Sequence, residues 1–466
     1  MITNGSTRLS FAEKHILFMF FAILFLLFFR PMEALRLDVY NPDSACYADW
    51  LYRFFGSSFW NCKYNYYYPG AAFIWIPAAV LGYGLSLITH LPKEVWIEPL
   101  VGLTTFSAFI AAVVVNIKSY RLLNGKGLLA PILLCLAAPV LPYASIHTFL
   151  AHSTEFLFAS LTVYYLLARK LPGVLIFGLL VSATRPTGCL TFLFVTAYLW
   201  DDYRTNPGGA IILKRSNRIW IASALTIGLV LLVRTLLKGY GVVPKDSTSG
   251  TFVPSLLSNV NFSEVVRFLV GDRNGMLFTG PWWLLVLALG ALSLPRLSWT
   301  SRAAVAWMAG MALICIGWGG NGSQGGWFIF YRYLTATYMG ALFVCVELCQ
   351  KVGPTMKRVL WGVLGWQALV VCYLSWMNNY AVPRFWEFVT GQATWSEIVR
   401  KHLALAIFTP APLTVFSWWP GLSKSIYGGE HFLSGPSLWL LTGALMLSLL
   451  GFLYHYRHFS SQRRKE

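Results

Sequence analysis

Gly70-Ala71-Ala72-Phe73-Ile74-Trp75-Ile76-Pro77-Ala78-Ala79-Val80-Leu81-Gly82-Tyr83-Gly84-Leu85-Ser86-Leu87-Ile88-Thr89-His90 is apolar and long enough to cross a bilayer, and its reading decides the topology of everything after it. Comparable apolar stretches run at 15–30, 99–117, 127–146, 153–168, 171–184 and 187–200. The second half adds 219–237, 281–295, 303–319, 333–350, 358–376 and 435–453. Charge decides the ambiguous one. Five connections are basic, holding Lys118/Arg121/Lys126, Arg169/Lys170, Arg204/Lys214/Arg215/Arg218, Arg296/Arg302 and Lys351/Lys357/Arg358. With Arg8 and Lys14 before the first stretch and Arg457, Arg463, Arg464 and Lys465 after the last, they carry 20 of the 36 lysines and arginines. Dense basic connections belong on the cytoplasmic side. All of these fall there only if both termini are cytoplasmic and the number of spans is even, about twelve. Gly70–His90 is then expected to lie along, or dip into, the outer leaflet instead of crossing.

Composition supports the membrane reading. The chain is 57% hydrophobic and only 12% charged, with a mean hydropathy of +0.59. A soluble domain averages about 25% charged residues, so lipid has to cover much of this surface. The net charge of +18 raises nucleic-acid binding as an option. The basic residues lie between apolar stretches, however, with no cluster interleaved with polar residues, and no nucleic-acid partner is expected. The first apolar segment ends in Arg30-Pro31 without a small-residue cleavage site and reads as a retained helix. Residues 1–466 thus read as a single all-α polytopic membrane domain. The long connections 31–98, 238–280 and 377–434 fall on the extracytoplasmic side, which holds 13 of the 18 acidic residues. Loops positioned by a rigid scaffold carry chemistry, so the candidate active face is outside.

The first of those loops opens Leu37-Asp38-Val39-Tyr40-Asn41-Pro42-Asp43-Ser44-Ala45-Cys46-Tyr47. Asp38 and Asp43 stand at the membrane surface, where a carboxylate is costly unless partnered or used. Tyr47, Leu51 and Phe54–Phe55 follow at helical spacing, so Asp43 serves equally well as the N-cap of a short surface helix. Tyr64-Asn65-Tyr66-Tyr67-Tyr68-Pro69-Gly70 then leads into the apolar stretch; it reads either as an interfacial aromatic belt or as a platform for a sugar ring or lipid head group. Cys46 and Cys62 both fall outside, where a disulfide would staple the loop. The other six cysteines lie in or near helices and read as packing residues.

This order of features resembles the GT-C superfamily of membrane glycosyltransferases, which use lipid-phosphate-linked sugars and include protein O-mannosyltransferases, the lipid A aminoarabinose transferase and mycobacterial arabinosyltransferases. The resemblance runs over roughly residues 15–350. It begins with the acid after the first helix, the Tyr four residues on and the Tyr/Pro-rich lead-in. His147-Thr148-Phe149-Leu150-Ala151-His152-Ser153-Thr154-Glu155 is similar in placing an acid at the start of the fourth helix. Ala183-Thr184-Arg185-Pro186-Thr187-Gly188 resembles the family's Arg-Pro turn. Asn274-Gly275-Met276-Leu277-Phe278-Thr279-Gly280-Pro281-Trp282 and Trp318-Gly319-Gly320 through Tyr331-Arg332-Tyr333-Leu334 complete the set. The first motif lacks the paired acids common in relatives, and the segment after 377 has no soluble carbohydrate-binding domain.

The resemblance implies a GT-C-like bundle of about twelve helices with extracytoplasmic juxtamembrane helices. It implies inverting transfer of a sugar from a polyprenyl-phosphate donor to a hydroxyl of a glycan, lipid or protein acceptor. Asp43 or Asp38 would be the general base. Arg332 and Arg185 would hold the donor phosphate, because guanidinium offers a planar fork to two oxygens and stays charged when desolvated. Glu155 and His152 would orient a sugar, with Tyr47, Tyr67, Tyr68 and Tyr331 as further substrate contacts. Glu155 also fits as a favourable first-turn acid, and the two arginines as side chains snorkelling to lipid phosphates. No cofactor and no essential metal are expected, although two outer carboxylates near a phosphate are able to hold a divalent ion. The expected location is a bacterial inner membrane with the active face periplasmic, or the ER membrane with a lumenal face. The competing class is a transporter or flippase of lipid-linked saccharides. Such proteins often have two related halves with matching broken helices, and no such symmetry is visible here.

Overall fold

The computed structural model describes residues 9–29, 47–48, 51–56, 69–91, 93–145, 151–207, 209–211, 260–270, 276–317 and 332–389. All regular structure among them is helical, with no strand. The main helices are α1 (Phe11–Phe28), α2 (Ala72–Thr89), α3 (Lys93–Leu122), α4 (Leu129–Ala137), α5 (Leu141–Ser145), α6 (His152–Leu167), α7 (Leu171–Thr184) and α8 (Thr191–Thr205). There follow α9 (Phe262–Val270), α10 (Pro281–Leu292), α11 (Trp299–Gly317), α12 (Thr337–Lys351) and α13 (Pro354–Val389). Among the described residues, three helical segments have the length and apolar character to cross a membrane: Ala72–Thr89, Trp96–Leu122 and Trp299–Gly317. The expected stretches 219–237 and 435–453 lie outside the described residues.

The helix ends sort into two poles. Glu13, near the start of α1, pairs with Arg121 at the end of α3. Arg169, between α6 and α7, pairs with Asp202 near the end of α8 at 3.0 Å. Asp201 accepts from the N–H (2.7 Å) and hydroxyl (2.6 Å) of Thr300 at the start of α11. Glu347, near the end of α12, accepts from the N–H of Ser298 at 2.9 Å. Among the described residues, one pole therefore gathers the basic connections, and two of their charges, Arg121 and Arg169, are met by acids on neighbouring helices. The other pole gathers the end of α1, the start of α6, the end of α7 and the start of α12.

α3 is the axis for the first loop. Its 30 residues span about 45 Å at 1.5 Å per residue. α1 lies antiparallel along the half nearer the basic pole, from the Glu13–Arg121 pair up to Phe29, whose ring meets Phe106 edge-on at 5.3 Å. α2 occupies the other half: the Trp75 indole donates to Thr105 at 3.0 Å, and the Trp96 indole donates to Thr89 at 2.8 Å. Gly82 permits this approach, since a Cβ there would stand 2.8 Å from the Ile97 α-carbon. α1 and α2 are thus stacked end to end along α3. The stretch expected to lie along, or dip into, the outer leaflet forms one helix, Ala72–Thr89, continuous through Pro77 and by length and composition able to cross. Its position continues the line of α1 away from the basic pole and inserts no reversal between α1 and α3.

Two boundaries move. The expected span 127–146 breaks after Ala137, because Ala138 precedes Pro139 and takes an extended backbone (φ −66°, ψ 138°) that ends α4. The expected span 358–376 continues as helix to Val389. Asn378 and Asn379 lower the hydropathy there, which ends an apolar window without breaking a helix.

Candidate functional site

The α6–α7 hairpin builds the site. The two helices are joined by the short Ala168–Lys170 turn, with Arg169 at positive φ, and run antiparallel. Arg185 is followed by Pro186, which disfavours a helical backbone at the preceding residue. α7 accordingly stops at Thr184, and Arg185 is extended (φ −151°, ψ 140°) at the helix end. Measured from the turn, Glu155 on α6 and Arg185 after α7 lie at almost the same height, so the hairpin brings them face to face. Arg185 Nη1 donates to Glu155 Oε2 at 3.3 Å, and the two side chains are 11% and 1% exposed.

His152 sits one turn before Glu155. Its Nδ1 lies 3.3 Å from Arg185 Nη1 and 3.8 Å from Glu155 Oε2. Arginine has no acceptor, so Nδ1 accepts and the ring proton is on Nε2. Tyr333, in the one-turn 3-10 segment Arg332–Leu334 that leads to α12, lies under the Arg185 guanidinium at 4.5 Å from the ring centroid. The Tyr143 ring meets the His152 ring at 4.6 Å. The result is a buried ion pair, clamped by an imidazole and carried on an aromatic face, at the pole away from the basic connections. Arg185 and Glu155 cancel one another's charge there, so the cluster is close to neutral.

The first loop lands beside it. A Cβ on Gly70 would stand 2.5 Å from the carbonyl carbon of Ala183 and from the Thr184 nitrogen, so the Pro69-Gly70 backbone closes directly on the end of α7. A Cβ on Gly188 would meet the Val181 carbonyl oxygen at 2.6 Å, which holds the Arg185 turn from its other side. Tyr47 is buried and packs edge-on against Trp75 at 6.4 Å, in an apolar cluster with Tyr52, Ala72, Val101, Tyr143 and Ala151. In this position it ties the first loop to the α2–α3 hairpin. Lys93 Nζ lies 5.8 Å over the Tyr52 ring.

Of the residues singled out from sequence, Glu155, Arg185 and His152 are brought together. Arg332 opens the 3-10 turn beside Tyr333. Asp38, Asp43, Tyr67, Tyr68 and Tyr331 lie outside the described residues, as do Cys46 and Cys62. The remaining six cysteines, Cys135, Cys189, Cys315, Cys345, Cys349 and Cys372, are free thiols. Sequence reasoning passed over Tyr333 and Tyr143 as partners of the cluster. It also passed over Ser153 and Thr154, fully buried residues whose hydroxyl oxygens have no hydrogen-bond partner. The signal for these two was their place between His152 and Glu155, in the first turn of a helix most of whose residues are buried. Among the described residues, no group of three His, Cys, Asp or Glu side chains is arranged to hold a metal. Comparison with protein-family profiles, with characterised proteins and with solved structures finds nothing that matches this chain.

Proposed function

We propose that this chain is a polytopic membrane glycosyltransferase of GT-C type, moving a sugar from a polyprenyl-phosphate donor to an acceptor hydroxyl on the extracytoplasmic face. The observation that carries the reading is the Glu155–Arg185–His152 cluster at the pole opposite the basic connections, with the first loop seated against it through Gly70. Buried ionisable groups are rare inside membrane bundles and mark functional sites by default. The basic pole is taken as cytoplasmic by the positive-inside rule, which puts the cluster outside and makes the span count even, about twelve.

In this reading the acceptor oxygen attacks the anomeric carbon as the bond from that carbon to the phosphate oxygen breaks, with inversion. The hydroxyl proton passes to Asp43, with Asp38 as the alternative base. The leaving phosphate takes the negative charge and is met by Arg332. Arg185, held by Glu155 and His152, acts as the frame of the site, and Glu155 with His152 orients the sugar.

The test is a proteoliposome assay with a radiolabelled polyprenyl-phosphate sugar and a mixture of candidate acceptors. A glycosyltransferase consumes the donor and forms a new glycosidic bond; a flippase moves the donor between leaflets and forms none. Asp43→Asn is expected to abolish transfer with normal membrane expression. Full activity in that variant would remove Asp43 from the mechanism.

A further inference from the structure

Ser153 and Thr154 have no role in the clamp just described, and their burial is unusual. A hydroxyl taken fully out of water without a hydrogen bond is destabilising, so such groups ordinarily acquire a partner. Both belong to the first turn of α6, a helix of 16 residues. The leading N–H groups of a helix have no intrahelical carbonyl, and the aligned peptide dipoles place a partial positive charge at that end. Helical Cα–Cβ bonds lean toward the N-terminus, so the side chains of this turn rise from the backbone toward that end.

The surrounding charges decide what such a site takes. Glu155 is the acid of this turn, and it is bound to Arg185 at 3.3 Å, which cancels its repulsion toward an anion. His152 Nδ1 accepts from the same guanidinium, so the imidazole is neutral in this state. Among the described residues, what remains is the helix's own field, together with two hydroxyls that have no hydrogen-bond partner. That combination suits an oxyanion.

We propose that the first turn of α6, with the Ser153 and Thr154 hydroxyls, seats a phosphate-type oxyanion, presented by a lipid phosphate or by free phosphate. The proposal rests on the glycosyltransferase reading only for the identity of the natural lipid. It assigns the phosphate a seat separate from Arg185, whose Nη1 is directed to Glu155 and His152.

The seat is tested without any sugar transfer. Purified protein in maltoside detergent is titrated with dodecyl phosphate, with dodecanol as the uncharged control, and separately with inorganic phosphate. Binding is read by tryptophan fluorescence and thermal shift, for wild type and for Ser153→Ala, Thr154→Val and the double variant. The wild type is expected to bind dodecyl phosphate and not dodecanol, and the double variant to bind it about tenfold or more weakly, the loss expected from removing hydrogen bonds to a charged group. Equal binding of inorganic phosphate, lost in the same variant, supports the seat and makes its ligand free phosphate. Since neither hydroxyl bonds to protein, the variants should melt at or above the wild-type temperature. Unchanged dodecyl phosphate affinity in the double variant overturns the proposal, as does a wild type that binds no phosphate. Failure of the glycosyltransferase reading is a separate result: no sugar moves in proteoliposomes, whatever the affinity for phosphate.

Discussion

Glu155 and Arg185 are each buried opposite the other's charge, so removing one leaves the other desolvated and unpaired. Arg185→Met alone is expected to destabilise the protein by roughly 3–5 kcal/mol, whereas Glu155→Leu with Arg185→Met recovers much of that loss, since apolar replacement of a buried pair is often neutral. Thermal melts of the two single variants and the double in detergent check this; additive losses would mean that the pair is not coupled. At the other pole the Arg121 guanidinium beside Glu13 holds its carboxyl below the usual carboxylate range. Because the folded value is the lower one, the pair's stabilisation is present above the ordinary carboxylate pKa and is lost as pH falls through the folded value. Melting curves of wild type and Glu13→Gln should therefore differ at neutral pH and converge in acid. Neither pairing is local in the chain: Glu13 and Arg121 are 108 residues apart. Glu155 and Arg185 are thirty residues apart, and their pairing follows from equal distances to the Ala168–Lys170 turn, a geometric relation that hydropathy does not carry.

Helices were legible where apolar windows end at charges or prolines. The expected span 171–184 coincides with α7, and 153–168 is one residue from α6, because Arg169-Lys170 and Arg185-Pro186 punctuate both. Where a helix is interrupted inside an apolar run, hydropathy is blind. The break after Ala137 leaves helix-end carbonyls buried, and a distant residue repairs one of them. Gln367 of α13, fully buried, donates through Nε2 to the Ala137 carbonyl at 2.9 Å and to the Tyr338 hydroxyl at 2.8 Å. Its Oε1 accepts from the Trp282 N–H at 2.8 Å, capping the start of α10 from another helix. Gln367→Leu is expected to cost roughly 1–3 kcal/mol for each buried group left unpaired. Gln367→Glu should keep the cap on Trp282 and lose the donation to Ala137. A melting temperature unchanged in Gln367→Leu would show that these groups find other partners.

At the scale of the molecule, charge patterning carried further than any motif. The described parts of the basic connections named from sequence gather at one end, joined by Arg169–Asp202, Asp201–Thr300 and Glu347–Ser298, while Lys214, Arg215 and Arg218 lie outside the described residues. The stacking of α2 on the line of α1 was not readable, because an 18-residue apolar helix looks the same beside a bundle as beyond its end. A topology experiment separates the two poles. A fluorescent reporter that matures only in the cytoplasm is expected to be bright when fused after 170, 209 or 353 and dark when fused after 275. Brightness after 275 together with 353 would break the alternation of helix directions.

The bond from Gln367 to Ala137 also sets a schedule for biosynthesis. The two residues are separated by 230 positions, so the ribosome must make most of the second half before the exposed end of α4 receives its donor. Until then the nascent chain has an open helix end within its first half, a feature for which an insertase or chaperone in the membrane has to provide shelter. Chains truncated ahead of position 367 should therefore be cleared by membrane proteases faster than chains truncated after it.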